Sequence, residues 1–182
     1  MSQDTVSQQK ALDGIGMGNG VDQLDRQSAV VNEAAKPDAT MEYVISPIAE
    51  MIGTFAFVFL GAGSVVANTL SHGALGTVGV ALAHGLALAL VISIFGATSG
   101  GHINPAVTIG FLVTGRIKVG RAALYILGQL IGAVLAGLVL RGIFPAMDWQ
   151  SAMLGTPALG SGVSAGTGVV VEIILTAFLV FA

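Results

Sequence analysis

Two glutamates, Glu50 and Glu172, lie inside apolar runs of the chain, each near the head of a segment suited to a bilayer. An acidic side chain at the centre of a span costs about 3 kcal/mol, less near an end, and is rare without a task. His84 sits in the middle of another apolar run. The stretch Ser99-Gly100-Gly101-His102-Ile103-Asn104-Pro105-Ala106-Val107-Thr108 is different in kind. Asn104 is a good N-cap and Pro105 suits the first helical position, so a helix starts here. Only about ten residues, 105–115, precede the stop at Thr114-Gly115-Arg116, against roughly 20 needed to span. The spacing predicts a half-helix that dips into the membrane and returns. Non-helical backbone at that depth is tolerated where protein buries it or where it lines a wet cavity.

The N-terminal end of such a half-helix carries about +0.5 of an elementary charge. It disfavours cations, a hopping proton included, and accepts neutral water. The Asn104 amide can donate a hydrogen bond while its oxygen caps the helix. The plainer alternative for Asn104 and Pro105 is a helix cap and nothing more.

The rest of the chain must hold these groups in place. Apolar residues make up 54% and charged residues 9% of 182 residues, where soluble domains carry about 25% charged. Seven of the ten acids fall in residues 1–42, which read as a polar, disordered tail. Residues 43–182 form the membrane domain, with spans expected over 44–70, 75–97, 122–144 and 166–182 and the half-helix over 105–115. Gly128, Gly132 and Ala136 make a small-residue stripe suited to helix packing, with Gln129 beside it. Lys10, Arg26 and Lys36 precede the first span, and Arg116, Lys118 and Arg121 follow the half-helix, whereas only Arg141 lies on the other side. The bias places the N-terminus and the half-helix entry in the cytoplasm, with the plasma membrane as the expected site. The chain stops at Ala182 inside an apolar run, and is expected to be part of a longer sequence.

Glu50, Thr54, Val58 and Phe59 recur as Glu172, Thr176, Val180 and Phe181, all at an offset of 122. The first and fourth spans start on opposite sides, so the repeat is inverted, as in many transport folds. The offset marks a second half-helix near residue 226.

The ten residues Ser99–Thr108, placed after two apolar spans, resemble the first Asn-Pro-Ala loop of the aquaporin (major intrinsic protein) family. The resemblance runs from about Ile48 to Ala182. It implies an all-α membrane fold, a right-handed helical bundle of six spans with two half-helices meeting at mid-membrane, here cut within the fourth span. It implies a passive channel for water and other small neutral solutes such as glycerol, urea or ammonia, assembled as a homotetramer in the lipid bilayer. Asn104, Pro105 and Ala106 would stand at the pore centre, and the carbonyls of Gly100, Gly101, His102 and Ile103 would line it. Glu50 and Glu172 would accept hydrogen bonds from loop backbone and anchor the half-helices. A proton relay is the sharper reading of the two glutamates, but it needs a chain of titrating groups that nothing else in the sequence supplies.

Aligned on Ala-Leu-Ala-His-Gly-Leu, His84 takes the second-span position of the family's outer constriction. Many water-selective bacterial members carry Phe there, and a His resembles the plant vacuolar branch. The plainer alternative for His84 is a buried, hydrogen-bonded helix residue. For His102 the ring is expected to pack within the loop while its backbone does the work.

Other classes find little support. No nucleophile is paired with a base, and three scattered histidines make no metal site, so neither enzyme chemistry nor a cofactor is expected. A net charge of −3 gives no reason to expect nucleic acid. Two alternatives stay open: a secondary transporter with discontinuous helices, and a non-conducting fragment or structural membrane protein.

Overall fold

The computed structural model of the protein describes residue 7 and residues 23–28 and 38–181. The chain divides into two units, residues 1–38 and 39–182. In the first, residues 23–28 are helical, and the Ser28 hydroxyl donates to the Asp25 carbonyl at 2.8 Å. Most of the expected disordered tail over 1–42 lies outside the described residues. Its last part is helical from Ala39, and a π-helical turn, Met41–Ile45, leads into the first long helix.

The second unit is built from helices, with no strand among the described residues. α1 spans Ser46–Leu70, α2 Gly76–Ser99, α3 Pro105–Val113 and α4 Val119–Ile143. A short α5, Ala146–Ser151, and α6, Ala165–Phe181, follow. Helices α1, α2 and α4 are long and apolar enough to cross a membrane, since 24 residues at 1.5 Å each reach about 36 Å against a core of roughly 30 Å. Helix α3, with nine residues, reaches about 14 Å, half that depth.

Local sequence explains the ends. Pro47 falls in the first turn of α1 and Pro105 in that of α3, where a missing N–H costs nothing. Helix α3 stops at Val113, short of the expected 115, because Gly115 adopts φ 70°. The Arg116 N–H then donates to the Phe111 carbonyl at 2.8 Å and the Gly115 N–H to that of Leu112 at 3.0 Å, a Schellman closure. Helix α4 starts three residues before the expected 122.

Helix α1 is the hub, packed on α4 along one side and α2 along another. Its contact with α4 is backbone against backbone. A Cβ added at Gly128 would stand 2.8 Å from the Pro47 carbonyl oxygen, and one at Gly132 would overlap the Met51 carbonyl. Small residues allow this approach, which in lipid must rest on close packing and hydrogen bonds.

A polar cluster lies inside, beside small and apolar side chains such as Ala49, Val66 and Leu140, and the outside is apolar. Ser46, Glu50, Thr54, Ser99, His102, Thr108 and Gln129 are buried, while Leu82, Leu86, Val134 and Ile173 are exposed. That inversion fits a lipid surround, where every internal polar group must find its partner in the protein.

Candidate functional site

The segment between α2 and α3 turns back through left-handed backbone. Gly100 and Gly101 have φ of 95° and 64°, which glycine takes freely, but Ile103 stands at φ 54°. A β-branched residue there is strained by about 1–3 kcal/mol and persists only where its surroundings over-determine it. Three contacts do so. The Ile103 N–H donates to Glu50 Oε2 at 2.5 Å, its carbonyl accepts from Thr54 Oγ1 at 3.1 Å, and its side chain is buried.

Glu50, fully buried, is the centre of this cradle. Its Oε1 accepts from the His102 N–H at 2.9 Å and from the Ser99 hydroxyl at 2.6 Å. Its Oε2 accepts from Ile103 and from Gln129 Nε2, the latter at 2.8 Å. Gln129 also donates to Thr108 Oγ1 at 3.0 Å, so α4 ties the glutamate to the first turn of α3. The His102 ring lies between Phe111, 4.4 Å between centroids, and Tyr125, 5.1 Å, with Nδ1 at 3.0 Å from Thr108 Oγ1. The Thr108 hydroxyl donates to the Asn104 carbonyl at 3.2 Å.

At the head of α3, Asn104 is extended, and its Oδ1 accepts from the Ala106 N–H at 2.8 Å. The side-chain amide N–H groups find no partner among the described residues. No buried side-chain nitrogen or oxygen among them is unpaired, so this amide is open to space. It borders a cavity of about 160 Å³ whose polar side is Asn104 and residues 101–103. The other walls are apolar: Phe57, Leu88, Ile92, Val107 and Leu179. The volume holds several waters at roughly 30 Å³ each.

Two helical stripes lead to this cavity. On α1, Glu50, Thr54, Phe57 and Gly61 recur at i, i+4, i+7 and i+11, one face of the helix. On α2, His84, Leu88 and Ile92 share a face in the same way. Phe57 and Leu179, both cavity walls, are related by the same offset of 122 as the paired glutamates.

His84 is half-buried on the cavity-bearing face of α2. Its Nδ1 donates to the Val80 carbonyl at 2.9 Å, and its ring meets Phe57 edge-on at 6.3 Å. It is therefore both a hydrogen-bonded helix residue and a neighbour of the cavity wall. Gly100 lies outside the cavity lining, and the carbonyls of Gly101 and His102 accept no hydrogen bond from a described residue, whereas that of Ile103 is engaged by Thr54. Glu172 stands apart. It is exposed, makes no hydrogen bond to a described residue and lines a separate cavity of about 920 Å³ with Thr176 and Pro157. No group of three metal-ligating side chains occurs among the described residues.

Residues 39–182 match the family model described as Major intrinsic protein. The chain belongs to the major intrinsic protein family. Among its relatives, Aquaporin TIP4-4 of Zea mays is 46% identical over 142 residues, 74% of this chain and 54% of that protein. The Lens fiber major intrinsic protein of Gallus gallus is 42% identical over 130 residues, 71% and 48% of the two chains. Aquaporin-1 of Sus scrofa is 39% identical over 140 residues, 73% and 51%. The chain spans about half the length of the curated relatives it matches. With three apolar helices of spanning length, this major intrinsic protein is an integral membrane protein.

Sequence reasoning left several cradle residues in this major intrinsic protein without a role. Ser99 also accepts the Gly101 N–H at 3.1 Å, and Tyr125 donates to the Ser99 carbonyl at 2.6 Å while accepting from Arg121. Tyr125 and Gln129 lie four apart beside the glycine stripe, and that spacing was the available signal. Thr54 was visible only as part of the repeat, and its target, a strained carbonyl, is a property of the folded loop.

Proposed function

We propose that this protein contributes the Asn104 half of a passive pore for water and small neutral solutes such as glycerol, urea or ammonia. The reading rests on one observation above others: the unpartnered Asn104 amide opens from a helix N-terminus into a cavity otherwise walled by apolar side chains. A water there gains a donor from Asn104 and acceptors from the Gly101 and His102 carbonyls, and little from the walls. The half-charge of the helix end raises the energy of a cation or proton at the same point. The relatives named as aquaporins support the same reading. The pore takes its second wall from an oppositely directed half-helix, the partner that the inverted repeat calls for.

Within this reading Glu50 anchors the loop, His84 stands at the outer constriction and Glu172 holds the second half-helix. The N-terminus is cytoplasmic, the plasma membrane is the site, and four copies assemble with one pore each. The transporter alternative is less favoured, because both oxygens of Glu50 are already occupied by four protein donors and leave no site for a coupling ion at that carboxylate. The test is reconstitution of the full-length protein in liposomes, with osmotic shrinkage followed by stopped flow and proton entry by an internal pH dye. Fast shrinkage without proton entry is expected. Shrinkage no faster than in empty liposomes refutes the proposal, and gradient-coupled, saturable uptake favours the transporter.

A further inference from the structure

We propose that Gly61 is a positioning residue for His84. The notch it leaves on α1 seats the imidazole against that helix and so sets how far the ring stands into the passage. The inference rests on the channel reading above and concerns which neutral solutes pass.

Gly61 is buried in the middle of α1, where glycine is one of the poorest helix formers. Its backbone needs no special freedom, because it is helical. Its small size is used for space, and the structure shows what occupies that space. A Cβ at Gly61 would stand 2.8 Å from His84 Cδ2, 2.9 Å from Nε2 and 3.4 Å from Cγ. The three nearest atoms all belong to one ring. At Gly128 the nearest atom is instead backbone, so that glycine serves helix approach, whereas the space at Gly61 is taken by a side chain. The ring has two further contacts. Nδ1 donates to Val80, and the Phe57 ring meets it edge-on one turn along the same α1 stripe.

A methyl group at Gly61 removes the seat. α1 cannot yield without disturbing its packing on α4, so the ring is the part that moves. The face of α2 that carries His84 also carries Leu88 and Ile92, which line the cavity. A ring displaced from α1 therefore moves across the passage and narrows it. Solutes the size of urea or glycerol need that width more than water does.

The experiment uses the full-length protein in liposomes, with Gly61→Ala, His84→Ala and the double variant. In Gly61→Ala the urea-to-water permeability ratio is expected to fall by about tenfold. In the His84→Ala background the same change should leave the ratio where it was. An unchanged ratio in Gly61→Ala, or an equal fall without the imidazole, overturns the proposal. If Gly61→Ala fails to fold while the double variant folds, the clash with the ring is supported; if neither folds, Gly61 serves the helix and the proposal is wrong. A flux-independent reading comes from the imidazole 15N shifts of His84 in lipid. They are expected to move on Gly61→Ala, and unmoved shifts overturn the seat. No water flux in the parent would refute the channel and leave this spectroscopic result to decide the seat.

Discussion

Replacing Glu50 by leucine tests the cradle. The glutamate accepts four hydrogen bonds, but two of its donors have alternatives. The Ser99 hydroxyl can turn to the Phe95 carbonyl, 3.2 Å away, and Gln129 keeps Thr108 at 3.0 Å. The His102 and Ile103 N–H groups have none. Each costs about 1–3 kcal/mol when buried unpaired, so the loss is about 2–6 kcal/mol, a large share of a total stability of about 5–15 kcal/mol. The strain at Ile103 is then no longer opposed. In Glu50→Gln the side-chain oxygen still accepts and Gln129 can rotate its amide to match, so one N–H is orphaned and the cost is about 1–3 kcal/mol. Thermal unfolding in detergent, with hydrogen exchange across residues 99–108, should rank parent, Gln and Leu in that order. The Leu variant should lose protection at 102 and 103 first. Equal melting and equal protection in parent and Leu would refute the reasoning.

Other expectations follow from the same geometry. Thr54→Val removes the donor to the Ile103 carbonyl at nearly constant volume, and should lower stability by about 1 kcal/mol, read as a downward shift of the melting curve. Tyr125→Phe removes the donor to Ser99 and the acceptor for Arg121, and should cost about 1–2 kcal/mol in the same assay. His84→Phe should keep water flux and slow urea and glycerol, and equal solute entry would remove His84 from the constriction. A tag at the N-terminus should be protected in intact cells and a label within residues 146–165 reachable from outside; the reverse pattern would invert the topology.

Much of this was legible in the sequence. Asn104-Pro105 wrote the half-helix start, because a cap and a pre-set φ are local properties. The apolar runs wrote α1, α2 and α4. What could not be read is where Glu50 would find its donors, because they come from Ser99, His102, Ile103 and Gln129, as many as 79 residues away. The left-handed Ile103 was equally hidden, since nothing local favours it and only the folded cradle enforces it. The use of Gly61 as a seat needed the rotamer of His84. Helix α3 ended two residues early because Thr114-Gly115 closed as a C-cap.

The claim at the centre is that water passes the end of the half-helix at Asn104, and these 182 residues hold no cysteine, so one placed beside that end, in a background with any other cysteine replaced, gives a direct test. Val107 lines the cavity one turn from that end, and cysteine there is a small change in volume. Val134, on the exposed face of α4, serves as the control position. The measurement is stopped-flow osmotic shrinkage of liposomes carrying full-length Val107→Cys, before and after a mercurial reagent and again after excess thiol. The account predicts flux near the parent's, loss of it on modification, recovery with thiol, and no response from the parent or Val134→Cys. Unchanged water flux through a Val107→Cys protein shown by mass to be fully modified would contradict it.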